Sequence, residues 1–184
     1  MAVLDSASPL LPSILAPLHL LAYSTLLGAE LYQSFVMTKV AHQSLPRSAF
    51  TSLQKRLFLI YFQGQSVLLV VVAASVPPYG PASFVQDKSI WTPFAVAGIC
   101  AGLNLISYGP KTRRLMIERI HQETHDRRNG VSADAVSDGM SSLNRAFSRA
   151  HAMSIHLNLI TIGATLFYGW KLAAMLKIDS VVFD

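Results

Sequence analysis

Four apolar runs, each about as long as a bilayer is thick, leave this chain few ways to fold. A hydrocarbon core of about 30 Å takes roughly 20 helical residues. Runs over about 17–39, 57–76, 90–108 and 152–176 meet that length. Their apolar character is unbroken rather than alternating, which excludes barrel strands. Pro12 and Pro17 suit the start of the first helix or a kink near it. Pro77-Pro78 stops the second, and Gly109-Pro110 closes the third. Only 14% of the 184 residues are charged and 52% are hydrophobic, where soluble domains carry roughly a quarter charged. The expected fold is all-α: one integral membrane four-helix bundle over residues 1–184.

The connections divide by charge. Lys39, Arg47, Lys55 and Arg56 flank the first, and Lys111, Arg113, Arg114, Arg119, Arg127, Arg128, Arg145 and Arg149 occupy the third. The opposite side holds only Lys88, Lys171 and Lys177. Twelve basic residues against three place the first and third connections in the cytosol, with both termini outside or in a lumen. Trp91 and Trp170 then mark the non-cytosolic interface. This asymmetry accounts for the net charge of +5, and with no recognised motif beside it nucleic acid is not an expected partner. Asp5 without Lys or Arg near the N-terminus does not fit a cleaved signal, so the first run reads as a retained signal anchor. Cys100 stands alone, which precludes an intrachain disulfide.

Between spans three and four, PKTRRLMIERIHQETHDRR reads as an additional cytosolic or interfacial basic helix, with Arg114–Glu118 and Arg119–Glu123 spaced for pairing. Leu115, Met116 and Ile120 would rest on the bilayer while Arg113, Arg114 and Arg119 meet anionic headgroups. A solvated helix that only marks topology is the alternative. Residues Asn129 to Ser142 read as a flexible loop.

Within the spans, polar residues recur at helical spacing. Glu30 is the one charge between Ser6 and Thr38. A carboxylate at membrane depth is costly, so it faces protein and has partners or a task. It shares a stripe with His19, Tyr23, Gln33 and Met37. Span two aligns Gln54, Phe58, Tyr61 and Gln65; span three Pro93, Ala97, Cys100, Asn104 and Tyr108; span four His151, Ser154, Asn158, Thr161 and Thr165. Glu30 lies about 13 Å below the cytosolic end at 1.5 Å per residue, a depth that Asn104 and Asn158 approach. If the stripes face inward, Glu30, Gln33, Gln54, Tyr61, Gln65, Asn104, His151, Ser154 and Asn158 form a polar pocket in the cytosolic half. The competing reading is interhelical hydrogen-bond glue, worth about 0.6 kcal/mol per bond.

The same residues carry a family resemblance. HLLAYSTLLGAELYQSFV, FTSLQKRLFLIYF, NLISYGPKTRRLMIERIHQE and FSRAHAMSIHLNLI resemble the transmembrane protein 205-like domain, a eukaryotic four-helix membrane family. Leu59-Ile60 departs from it, since a proline often precedes the Tyr61-Phe62 pair. The resemblance implies a membrane of the secretory pathway, foremost the endoplasmic reticulum, with a mitochondrial membrane as the alternative. A human relative associated with resistance to platinum drugs implies export or vesicle traffic. It lends no enzymatic reaction and no cofactor, so the chain is expected not to be an enzyme. Three classes compete: a transport or trafficking component with a polar pocket, an accessory or scaffold subunit packing on other membrane proteins, and a haem- or metal-binding oxidoreductase. The last is weakest, because His19 and His151 sit near opposite membrane faces.

Overall fold

The computed structural model describes residues 10–86, 88–130 and 136–175. Among them there are helices and turns and no strands. Four helices, Ser13–Ser44, Arg47–Ala74, Ile90–Arg128 and Asp138–Ala174, are long and apolar enough to cross a membrane. Within them α1 (Leu10–Leu31) continues through a π-helical turn, Tyr32–Met37, into α2 (Thr38–Ser44). Pro46 breaks the chain and α3 (Arg47–Ala74) returns. A short α4 (Ser83–Gln86) precedes α5 (Lys88–Leu103), which passes through a second π turn, Asn104–Tyr108, into α6 (Gly109–Arg128). The last described helix is α7 (Asp138–Met175). Helix α1 packs on α3, α3 on α5, α5 on α7 and α7 on α1, closing a four-membered bundle.

Side-chain burial is inverted relative to a soluble bundle. Leu21, Val67, Ile99 and Phe167 are more than half exposed, whereas Glu30, Asn104 and Thr161 are fully buried. Water would reverse that assignment, and lipid accounts for it. The chain is therefore a multi-pass membrane protein. Trp91 and Trp170 are exposed at the end away from the basic connections, where aromatic rings anchor an interface. The termini and Lys177, and with them the last residue of the expected fourth span, lie outside the described residues.

Two expectations change. Gly109-Pro110 does not end span three: the helix runs on, so the basic helix is a continuation of that span rather than a separate segment. The π turn explains this, because the Gly109 N–H bonds back to the Asn104 carbonyl and the widened turn makes room for a proline ring that cannot donate. Leu115 accordingly faces protein and is buried, not laid on the bilayer. Secondly, helix four begins at Asp138, inside the stretch read as loop. Ser137 caps it, accepting from the Met140 N–H at 3.1 Å and donating to Asp126 Oδ2 at 2.7 Å. That donation is the main cause holding the Asp126 carboxyl below its ordinary range. Both rods thus reach roughly 25 Å beyond a bilayer core, at 1.5 Å per residue.

Candidate functional site

The bundle interior holds a hydrogen-bonded network built by three spanning helices. Gln65 Nε2, on α3, donates to Glu30 Oε1 at 2.9 Å and lies 3.3 Å from the Tyr61 oxygen and 3.2 Å from Asn158 Oδ1. The Tyr61 hydroxyl donates to Asn158 Oδ1 at 2.8 Å, and Asn158 Nδ2 to Ser34 Oγ at 2.9 Å. Thr165 reaches Glu30 Oε1 at 3.5 Å while also bonding the Thr161 carbonyl at 3.0 Å. Among the described residues no Lys, Arg or His pairs with Glu30, and its Oε2 is buried without a hydrogen-bond partner.

Further buried polar atoms lack a protein partner: Gln33 Nε2, Gln65 Oε1 and Asn104 Oδ1. Both π turns sit beside this cluster. The first follows Glu30 and carries Gln33, whose carbonyl, displaced from regular helix bonding, accepts from the Thr38 hydroxyl at 2.9 Å. The second begins at Asn104, whose Nδ2 donates to the Ser154 carbonyl at 3.0 Å. Such turns are rare and concentrate at functional sites.

The expected pocket residues therefore divide. Glu30, Tyr61, Gln65 and Asn158 share one network, Asn104 and Ser154 form a separate crosslink, and Gln33 is buried in the first π turn. Gln54 and His151 lie elsewhere, on a half-open cavity of about 990 Å³ at the basic end, framed by α2, the start of α3, α6 and α7. Its wall holds His151 between Phe58 and Phe147, with ring centroids 6.2 and 5.3 Å away. Arg119 does not pair with Glu123 as its spacing suggested. Its guanidinium lies 4.7 Å from the Phe147 ring centroid, and Glu123 pairs with Arg127 at 3.7 Å. Burial foremost, and then the nearby charge of Arg47, pull the Arg119 guanidinium below its ordinary value. Arg114 and Glu118 do pair, at 3.4 Å, and Arg113 is exposed with Arg114.

At the opposite end the sequence reading passed over a second cluster. His19 Nδ1 contacts the Val72 carbonyl at 3.0 Å and Ser75 Oγ at 3.2 Å, and its Nε2 lies 2.6 Å from the Tyr168 hydroxyl. Tyr23 packs edge-on to Tyr168 and donates to the Thr165 carbonyl at 3.3 Å. Thr165 thereby belongs to both clusters. Spacing put His19 and Tyr23 on the stripe of Glu30, but Tyr168 looks like any aromatic in an apolar run.

A model of the family described as a domain of unknown function, DUF4149, matches residues 21–121. The chain belongs to the DUF4149 family. The match takes in Glu30, Gln65 and Asn104 and ends before α7. Relatives of this DUF4149 protein extend the likeness along its length. Xanthocillin biosynthesis cluster protein D of Aspergillus fumigatus is 39% identical over 177 residues, covering 95% of this chain and 96% of the relative. Transmembrane protein 205 of Danio rerio is 28% identical over 160 residues, covering 78% and 83%. The DUF4149 protein is thus of the transmembrane protein 205-like kind. No solved structure matches it.

Proposed function

We propose that this protein is a transport or export component that passes a small polar solute through the bundle, with Glu30 as its titratable contact. The observation that carries the reading is the Glu30 carboxyl, fully buried, with no cation beside it among the described residues and Oε2 unpartnered. Gln33, Gln65 and Asn104 add unpartnered buried atoms nearby on three elements. An unmade bond to a buried polar atom costs about 1–3 kcal/mol, so a purely structural core would pair or omit these groups. A relative named for a biosynthesis cluster supports a small organic product as the solute. The reading assigns no catalytic step.

Comparing metabolites inside and outside cells by mass spectrometry tests this. A strain lacking the protein should retain a small polar compound that the wild-type gene releases. Glu30→Gln keeps size and hydrogen bonding but removes titration, and should behave like the deletion. Release restored in full by that variant would end the transport reading. An accessory subunit is the second reading, favoured by the hydrogen bonds that already join Tyr61, the Gln65 amide nitrogen and Asn158 to one another. It requires a stable complex on purification and a silent Glu30→Gln.

The twelve-to-three basic asymmetry supports an orientation with the basic end in the cytosol and both termini across the membrane, in the endoplasmic reticulum or secretory pathway. Cysteine labels in the 130–139 connection should then react in cells whose plasma membrane alone is permeabilised, while tags at either terminus stay protected. Reactive termini would reverse the orientation.

A further inference from the structure

The cavity at the basic end has a chemistry of its own, independent of whether Glu30 moves a solute. Arg47, Lys55, Arg119 and Arg127 line it, and the acid on its wall, Glu123, already pairs with Arg127. Gln54 also lines it, is only 2% exposed, and neither its amide nitrogen nor its oxygen has a hydrogen-bond partner. Arg119 Nε is likewise buried and unpartnered. Among the described residues Arg47, Lys55 and Arg119 form no ion pair, and beside an idle amide and an idle guanidinium N–H they have the chemistry that receives a phosphate group. Arginine forks match phosphate oxygens, and an amide adds both a donor and an acceptor.

A bare phosphate does not explain the rest of the wall. Phe58 and Phe147 with Met116 and Met140 give the cavity an apolar face, and about 990 Å³ is at the top of the usual range for small-molecule sites. Phe58 and Arg47 stand at the two ends of the wall that α3 contributes. Phe58 stands near the expected membrane entry of α3, while Arg47 is eleven residues earlier, about 16 Å further from the bilayer at 1.5 Å per residue. An occupant would keep its apolar part toward the membrane and its charge away from it. We infer that this cavity binds an amphiphile bearing a phosphate group, with Gln54, Arg47 and Arg119 on the phosphate and Phe58 and Phe147 on the apolar body.

The source of that phosphate, lipid headgroup or free anion, separates experimentally. The full-length protein in dodecyl maltoside micelles, which carry no phosphate, is titrated with dihexanoyl phosphatidic acid, dihexanoylglycerol or inorganic phosphate. Phosphatidic acid should bind saturably at one site per chain, and the other two at least about tenfold more weakly, the scale of one lost charge-assisted bond. Arg119→Gln and Gln54→Leu should each weaken it by about tenfold, while Arg56→Gln, exposed and off the cavity wall, leaves it unchanged. Thermal unfolding confirms that each variant is folded, and Arg47→Gln replaces either that is not. Equal binding of dihexanoylglycerol overturns the inference, as does equal binding of inorganic phosphate. So does an affinity for phosphatidic acid that is indifferent to Arg119, Gln54 and Arg47. Glu30→Gln should not alter this binding, so the transport reading can fail while this one stands.

Discussion

Glu30→Leu should abolish release of the solute and lower stability by about 1–2 kcal/mol, and Gln65→Leu added to it should restore the stability alone. Glu30 Oε1 takes one Gln65 N–H, and the other bonds of that amide go to Tyr61 and Asn158. Leucine at 30 strands a single amide proton and leaves Thr165 with its bond to the Thr161 carbonyl. It also removes Oε2, a buried oxygen with no partner, so part of the loss is offset. Replacing Gln65 as well takes the stranded amide away, while Tyr61 and Asn158 keep their own bond at 2.8 Å. Removing both partners of a buried bond is far less costly than removing one. Thermal unfolding in nanodiscs gives the stability, and the metabolite comparison gives the activity. A double variant that recovers release along with stability would make Glu30 a packing residue.

The fold was legible because lipid makes it so: unbroken apolar runs of span length have one outcome, and the basic residues sort the connections. The inward stripes were legible for the same reason. Glu30, Gln65, Asn104 and Ser154 are all buried, as their helical spacing required. Spacing along separate helices could not say which of these residues meet. Gln54 shares the stripe of Gln65, yet lies three turns away in a different compartment, because α3 begins ten residues before the expected span and carries Gln54 out among the protruding rods. The π turns were also hidden, since a 3.6-residue period is assumed in drawing any stripe. Without the second one, Gly109-Pro110 reads as a stop. With it the helix continues, and the basic rod that walls the cavity follows from that continuity. The start of α7 at Asp138 rests on the Ser137 cap, and the Asp126 carboxylate that holds Ser137 in place is eleven residues away in the chain.

The His19 cluster sets up the second large effect. The Val72 carbonyl can only accept, so the 3.0 Å contact puts the proton of a neutral His19 on Nδ1. Ser75 donates to the Val71 carbonyl at 2.7 Å, so its oxygen is free to share that proton. Nε2 is then the acceptor and the Tyr168 hydroxyl its donor, at 2.6 Å between groups 1% and 4% exposed. Tyr168→Phe leaves Nε2 buried and unpaired, and His19→Leu leaves the hydroxyl so; each should cost about 1–3 kcal/mol. The two costs are largely the same missing bond, so the double variant should cost less than their sum by about 0.5–3 kcal/mol. Tyr23→Phe serves as the comparison. It removes a longer bond, 3.3 Å, from a hydroxyl that leans on Gly169, where a methyl group would overlap it, and it should cost less than either. Unfolding of the four proteins of the cycle in nanodiscs measures the coupling. Additive losses would mean that His19 and Tyr168 are held by packing alone. Coupling of the expected size would make this pair the polar lock at the end of the bundle away from the basic connections, joined through Tyr23 and Thr165 to the carboxyl of Glu30.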